Sequence, residues 1–256
     1  MVEQTESMLP EELLCSAIRR LCDSPEAYIL VRSRFAKSYA AFNIGGYILG
    51  IGDRHLMNYL LSKSDGAIVG IDFGYSFGQG AVLRIPELVP FRMTRQFSSL
   101  LRPLDSDGLI KQDMTLMLQE LRAHRDVLLS VLEVFVQEPL LEWQMEMAKK
   151  GDDTKWLPKK KVRVAKMKLE GVHPSVVMLK DIEQNARWRK GMKFQNTVRR
   201  LLYGRYSVPG REERLRSAKG DFAPCEKASD QVELLVDLAT DKVLLGRMWI
   251  GWSPYI

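Results

Sequence analysis

The chain has 256 residues, 46% of them hydrophobic and 27% charged, which is enough for a genuine core in one large domain or two small ones. A formal charge of +6 and an isoelectric point near 9.2 favour an acidic partner such as nucleotide phosphate or nucleic acid. Cys15, Cys22 and Cys225 lack the spacing of a disulfide framework or zinc site, glutamates at 3, 6, 11 and 12 exclude a signal peptide, and no run reaches the roughly 18 apolar residues of a membrane span, so a soluble intracellular protein is expected.

No internal repeat is present. Ser7 to Leu21 reads as a helix with Pro10, Glu11 and Glu12 in its first turn, and Cys15 and Cys22, a heptad apart, read as small buried hydrophobes. Ser24 is a predicted cap and Pro25 the first residue of a long helix. Tyr28, Val31, Phe35, Tyr39 and Phe42 recur at three- and four-residue spacings and form its buried stripe. Gly45, Gly46, Gly50 and Gly52 are expected to loosen the backbone before a loop at Asp53. Tyr59–Leu61 and Ala67–Ile71 flank Lys63-Ser64-Asp65-Gly66, the signature of a hairpin with positive φ at Gly66.

Gly74 to about Pro90, punctuated by glycine and proline, reads as a long functional loop. Leu109 to Val136 carries helical periodicity broken near Arg125-Asp126, which predicts two helices. Composition then shifts: Lys149 to Lys168 holds nine Lys or Arg and Arg187 to Lys219 holds eleven. A helix is predicted near Asp181 to Tyr203, a linker from Val208 to about Pro224, and a helix from Ala228 to Ala239 before the aromatic tail Trp249-Ile250-Gly251-Trp252-Ser253-Pro254-Tyr255-Ile256.

The chemistry concentrates in Gly52-Asp53-Arg54-His55-Leu56-Met57-Asn58 and Asp72-Phe73-Gly74. Phosphoryl transfer needs a carboxylate to orient a hydroxyl and take its proton, ligands for Mg²⁺, and positive charge near the transferred group. Asp53 suits the first role, while Asn58, five residues on, supplies a neutral oxygen and Asp72 a charged one. One Asp, one Asn and the phosphates of ATP make a reasonable Mg²⁺ set. His55 is placed to donate to the γ-phosphate, and Arg54 to hold a structural carboxylate or carbonyl. Loop, hairpin and Asp-Phe-Gly occur in the order and spacing of a kinase site.

On those residues the chain resembles the phosphatidylinositol-3-kinase-related protein kinase family, which writes its catalytic loop Gly-Asp-Arg-His-x-x-Asn. The resemblance continues through Ile71-Asp72-Phe73-Gly74 and Pro86-Glu87-Leu88-Val89-Pro90-Phe91-Arg92-Met93-Thr94-Arg95-Gln96-Phe97. Ile48 to His55 and Leu245-Gly246-Arg247-Met248-Trp249 with Gly251-Trp252 are most similar to the DNA-dependent protein kinase branch. It is close from about Pro25 to Trp143 and returns over about Cys225 to Ile256, the FATC segment.

The resemblance implies an α+β, mostly helical fold: a protein-kinase-like C-lobe with a small β-hairpin and a C-terminal helical FATC segment, the N-lobe being absent. Residues 1–148 would be the C-lobe, with catalytic loop 50–58, Asp-Phe-Gly motif 72–74 and activation loop 74–97. Residues 149–224 would be a basic insert and linker with a helix, and 225–256 the FATC segment bracing the activation loop. Asp53 would be the catalytic base, His55 a catalytic γ-phosphate contact, and Asn58 and Asp72 the metal and cofactor ligands, with ATP and Mg²⁺ as cofactors. Also implied are a nuclear Ser/Thr kinase acting on Ser/Thr-Gln sites in double-strand-break repair by non-homologous end joining, with protein substrates, and the Ku heterodimer and DNA ends as partners. With 52 residues before Asp53 and no Gly-rich loop or strand lysine among them, the chain reads as a C-lobe fragment, a partial gene model or a truncated isoform, inactive by itself.

The alternatives are a noncatalytic scaffold or dominant-negative fragment, and a lipid kinase of the parent superfamily, which the FATC-like ending opposes. The basic stretches read as a solvated insert in preference to a DNA contact, Lys159-Lys160-Lys161-Val162-Arg163 being the candidate nuclear localisation signal. Trp249, Trp252 and Tyr255 are expected to pack on the C-lobe, and Arg92 and Arg95 to pair with acidic substrate or core carboxylates.

Overall fold

A computed structural model describes residues 9–83, 85–103, 107–137, 157–184 and 223–252. After a turn through Pro10–Glu12 the first helix, α1, spans Leu13–Leu21, the predicted start at Ser7 lying outside the described residues. The long helix α2 spans Pro25–Leu49, with the Ser24 hydroxyl accepting from the Ala27 N–H at 3.1 Å and Pro25 in its first turn. Gly45 and Gly46 do not loosen it as expected. Asn43, Ile44, Tyr47 and Ile48 bury one face of these last turns, and that packing outweighs the roughly 1 kcal/mol that each glycine costs a helix. The helix stops at Gly50, which caps it in the left-handed conformation at φ 64°.

Strands β1 (Tyr59–Leu61) and β2 (Ile68–Gly70) pair antiparallel in the register Tyr59↔Gly70, with Gly66 at φ 75° in the turn. The hairpin lies on α2, and Gly70 has no side chain because a Cβ there would enter the Phe42 ring. Helices α3 (Arg95–Leu100), α4 (Leu109–Ala123) and α5 (Arg125–Gln137) follow, the last two dividing at His124 close to the predicted break.

The core forms where α2 crosses α4. Phe35, Tyr39 and Phe97 stack edge and face with centroids 5.1–5.6 Å apart. Ile110, Met114 and Leu118, spaced four residues apart, present one fully buried face from α4.

Helix α6 (Leu157–Leu169) packs on α5, and α7 (Pro174–Gln184) packs on α6. This corrects the expected solvated insert over the part of the basic stretch that is described. Val164, Ala165 and Leu169 bury one face of α6, whereas Lys159, Lys160, Arg163 and Lys166 stay exposed on the other. Lys168 itself is buried, its Nζ donating to the Tyr47 carbonyl. The helix predicted at Asp181 starts at Pro174; its continuation toward Tyr203 and most of the predicted linker lie outside the described residues.

Helices α8 (Ala228–Ala239) and α9 (Lys242–Leu245) end the fold with a 3₁₀ turn at Ile250–Trp252. Val232, Leu235, Val236 and Ala239 carry α8 into the main core against α4. Polar ties reinforce that seam. Arg122 donates to the Glu226 carbonyl at 2.9 Å, the Cys225 carbonyl at 3.1 Å and Gln231 Oε1 at 2.7 Å, and Gln231 Nε2 donates to the Lys168 carbonyl at 3.0 Å. Cys15 and Cys225 are buried and Cys22 half-buried, all as free thiols. No helix among the described residues is long and apolar enough to cross a membrane.

Candidate active site

The site is assembled from the end of α2, the hairpin and the segment after Phe73. Gly50 turns the chain out of α2, and Gly50 to Gly52 then lie along residues 75–78. Phe77 N–H donates to the Leu49 carbonyl at 2.9 Å, Gly78 N–H to the Gly50 carbonyl at 2.8 Å, and Gly52 N–H to the Tyr75 carbonyl at 2.6 Å. The approach is close enough that a Cβ on Gly50 would stand 2.6 Å from the Gly78 nitrogen. Residues 49–52 and the segment following Asp72 are thus one stitched unit.

Within it, the hairpin brings the predicted residues together. Asn58 closes a 3₁₀ turn immediately before β1, and Ile71 follows β2, so both stand at the open end of the hairpin. Ile71 N–H donates to the Asn58 carbonyl at 3.0 Å, which sets Asn58 beside the residue preceding Asp72. Asn58 Nδ2 donates to the Asp53 carbonyl at 2.7 Å, which closes the catalytic loop on itself. His55 Nε2 stands 3.9 Å from Asp53 Oδ2, both side chains being about a quarter exposed. Asp72 is exposed, with Oδ1 accepting from the Gly74 N–H at 3.2 Å. Asp53 and Asp72 both adopt φ 56°, a left-handed conformation that Asp tolerates better than most residues.

Arg54 holds carbonyls, one of the two partner types expected for it. Its buried guanidinium donates to the carbonyls of Gly52 at 2.9 Å, Ile71 at 2.8 Å, and Asp72, and lies 5.6 Å from the Phe73 ring centroid. One side chain therefore fixes the Gly52–Arg54 segment to the backbone of the Asp-Phe-Gly motif.

Glu87 was missed by sequence reasoning. Its Oε1 accepts from the Asp53 N–H at 2.6 Å, and Oε2 fills the space left by Gly52 and Gly80, where a Cβ on Gly52 would come within 2.6 Å. Burial pushes its carboxyl up to about 7, against the opposing pull of the Asp53 N–H. A pocket behind the loop is lined by Gly50, Gly52, Glu87, Lys168 and Asp181, among others. Burial likewise lowers Lys168 to about 8 and raises Asp181.

The C-terminal segment packs against the chain at Leu88 and Val89. Leu88 and Val89 pack with Leu179, Ile182, Leu238, Leu244, Met248 and Trp252, and Leu88 N–H donates to Met248 Sδ at 3.2 Å. Arg92 was expected to pair with acidic substrate or core carboxylates. Instead it is buried, donates to the Trp252 carbonyl and stacks 4.6 Å from the Trp252 ring centroid, while the Tyr39 hydroxyl donates to the Arg92 carbonyl. Arg95 pairs with Glu11 at 3.5 Å, an acidic partner from α1's approach. Of the three tail aromatics, Trp252 is buried, Trp249 is 54% exposed rather than packed, and Tyr255 lies outside the described residues.

The donor set suits Mg²⁺ with nucleotide phosphates. Asn58 Nδ2 is committed to the Asp53 carbonyl, so its Oδ1 is the atom that would bind a metal, and Asp72 is an exposed carboxylate. No group of three or more His, Cys, Asp or Glu capable of holding a metal by themselves occurs among the described residues. A two-residue set completed by phosphate oxygens and water is the usual Mg²⁺ arrangement.

The carboxylate, the histidine and the Asn/Asp pair expected from the sequence thus lie together at the open end of one hairpin. The chain belongs to the phosphatidylinositol 3- and 4-kinase family, whose model matches residues 2–145, and a FATC domain follows at 227–256. It is 39% identical over 264 residues to the DNA-dependent protein kinase catalytic subunit of Dictyostelium discoideum, and 36% identical over 267 residues to that of Canis lupus familiaris. Each alignment covers 98% of this chain and 6% of the relative's length. The serine/threonine-protein kinase TEL1 of Cryptococcus neoformans is 43% identical over 130 residues, covering 50% of the chain and 4% of the relative. The solved "FAT and kinase domain of CtTel1" superposes with a TM-score of 0.62 at 22% identity, covering 95% of this chain and 14% of that one, and shows the shared, mostly helical fold.

Proposed function

We propose that these residues form the catalytic-lobe portion of a Ser/Thr protein kinase that transfers the γ-phosphate of ATP to Ser or Thr followed by Gln. The carrying observation is the convergence at the open end of the hairpin, where Asn58 Nδ2 holds the Asp53 carbonyl at 2.7 Å and Asn58's own carbonyl holds Ile71 beside Asp72. In this reading Asp53 orients the substrate hydroxyl and accepts its proton as the oxygen attacks the γ-phosphorus, and the β–γ bridging bond breaks to leave ADP. His55 donates to the γ-phosphate as charge builds on its oxygens, and Asn58 and Asp72 hold Mg²⁺. When bound, Mg²⁺ neutralises phosphate charge.

The likeness to DNA-dependent protein kinase catalytic subunits supports a nuclear role in double-strand-break repair by non-homologous end joining, with Ku and DNA ends as partners. The test is phosphorylation of a Ser-Gln peptide with Mg-ATP by the polypeptide as its own cells make it, beside Asp53→Asn and a Ser-Ala control peptide. Transfer to the Ser-Gln peptide alone, abolished by Asp53→Asn, is expected. The 256-residue chain by itself is expected to be inactive. Transfer that survives Asp53→Asn, or ignores the Gln, would overturn the reading.

A further inference from the structure

We propose that Glu87 is a positioning residue for Asp53, holding the catalytic loop through the Asp53 main-chain N–H and passing to it the seating of the C-terminal segment. The proposal rests on the kinase reading above. Asp53 sits at φ 56°, and a non-glycine residue in that region needs its surroundings to hold it there. Glu87 Oε1 meets its N–H at 2.6 Å. The carboxylate has been given a slot: Gly52 and Gly80 both lack the Cβ that would collide with Oε2, and Glu87 N–H donates to the Gly80 carbonyl at 3.2 Å.

The other side of Glu87 faces the chain end. The Trp252 indole stands beside it and favours its charged form, and the next residue, Leu88, donates to Met248 Sδ at 3.2 Å. A shift of Met248 or Trp252 therefore moves Leu88 and Glu87, and through one hydrogen bond the backbone of Asp53. Glu87 touches no reacting atom in this scheme. Its contribution is geometric, and misplacing a reacting group by about an ångström costs on the order of a hundredfold in rate.

The test compares Glu87→Leu, Glu87→Gln and Glu87→Asp in the polypeptide as its cells make it. It reads kcat and KM for a Ser-Gln peptide and ATP, together with hydrogen exchange at the Asp53 amide. Gln keeps an acceptor at full reach, Asp keeps the charge but withdraws by one methylene, and Leu removes the acceptor. Leu is expected to lower kcat about tenfold or more with both KM values within about twofold, and to speed exchange at Asp53. Gln is expected to return kcat to within about threefold of the parent, and Asp to fall between Gln and Leu. Parental kcat in the Leu variant, or Asp equal to or better than Gln, overturns the proposal. Should Leu fail to fold, the ranking of Gln over Asp decides it. If the parent transfers no phosphate, the kinase reading falls, and the Asp53 amide decides between the outcomes: faster exchange in Asp than in Gln supports the bond, and equal exchange overturns it.

Discussion

Asp53 and Asp72, nineteen residues apart, share a φ of 56°, and Arg54 spans the distance between their loops by bonding the carbonyls of Gly52, Ile71 and Asp72. The two carboxylates proposed for catalysis and metal binding are thus the described residues, with Phe77, that pay for a left-handed backbone without being glycine. Conformation and chemistry are separable at these positions, because Asn accepts the left-handed region about as readily as Asp.

Asp53→Asn and Asp72→Asn should therefore stay folded, within about 0.5 kcal/mol of the parent, while phosphate transfer is lost. Asp72→Val, β-branched at positive φ, should cost about 1–2 kcal/mol. Urea unfolding of the three variants checks this, and equal losses for Asn and Val would refute it.

Arg54 is buried and donates to three backbone carbonyls, so its geometry matters as much as its charge. Lysine cannot span three acceptors with a planar fork. Arg54→Lys is expected to destabilise the chain by about 2 kcal/mol, with Arg54→Ala somewhat worse, as measured by denaturant midpoints. A Lys variant as stable as the parent would mean that the charge alone suffices.

The Arg92–Trp252 contact predicts a graded series. Trp252→Phe keeps a ring beneath the guanidinium and should cost about 1–2 kcal/mol. Trp252→Ala empties a buried site and should cost about 3–5 kcal/mol. Thermal melts give the ranking, and proteolysis after Leu245 should accelerate in the Ala variant.

His173 gives a pH signature. It is buried, its Nδ1 accepts from the Ser175 N–H at 3.2 Å, and burial lowers its pKa to about 4. The unfolded imidazole takes a proton near 6.5, so the unfolded state binds more protons between about 6.5 and 4, and stability falls as pH drops through that window. Glu87, raised to about 7, acts in the opposite sense across much of the same range, so the informative quantity is the difference between variant and parent. His173→Asn, which retains an acceptor, should gain about 2 kcal/mol relative to the parent between pH 7 and pH 5 in urea titrations.

Much of this site was legible because its signals are local. Ser24-Pro25 caps and opens a helix, Gly66 turns a hairpin, and Asp53, Asn58 and Asp72 are placed by a short loop and that one hairpin. Glu87 was not legible, since a Pro-Glu pair in a proline-punctuated loop looks solvated and only the fold brings it to Asp53. Lys168 was hidden for the converse reason: eight neighbouring cations suggested a wet surface, while the apolar Val164, Ala165 and Leu169 that bury its face are sparse among them. Gly45 and Gly46 misled because propensity is a weak term beside the packing of Ile44, Tyr47 and Ile48.

Arg92 and Trp252 are 160 positions apart in the chain. A ribosome adding about 5–20 residues per second needs roughly 8–32 s to travel between them. Throughout that interval the nascent segment around Arg92 exists without the tryptophan that later stacks on it. The clasp therefore forms well after the segment it holds, and a message cut short between the codons of Arg92 and Trp252 yields a chain with the Asp53–Asn58 and Asp72–Gly74 motifs written out and their fastening missing.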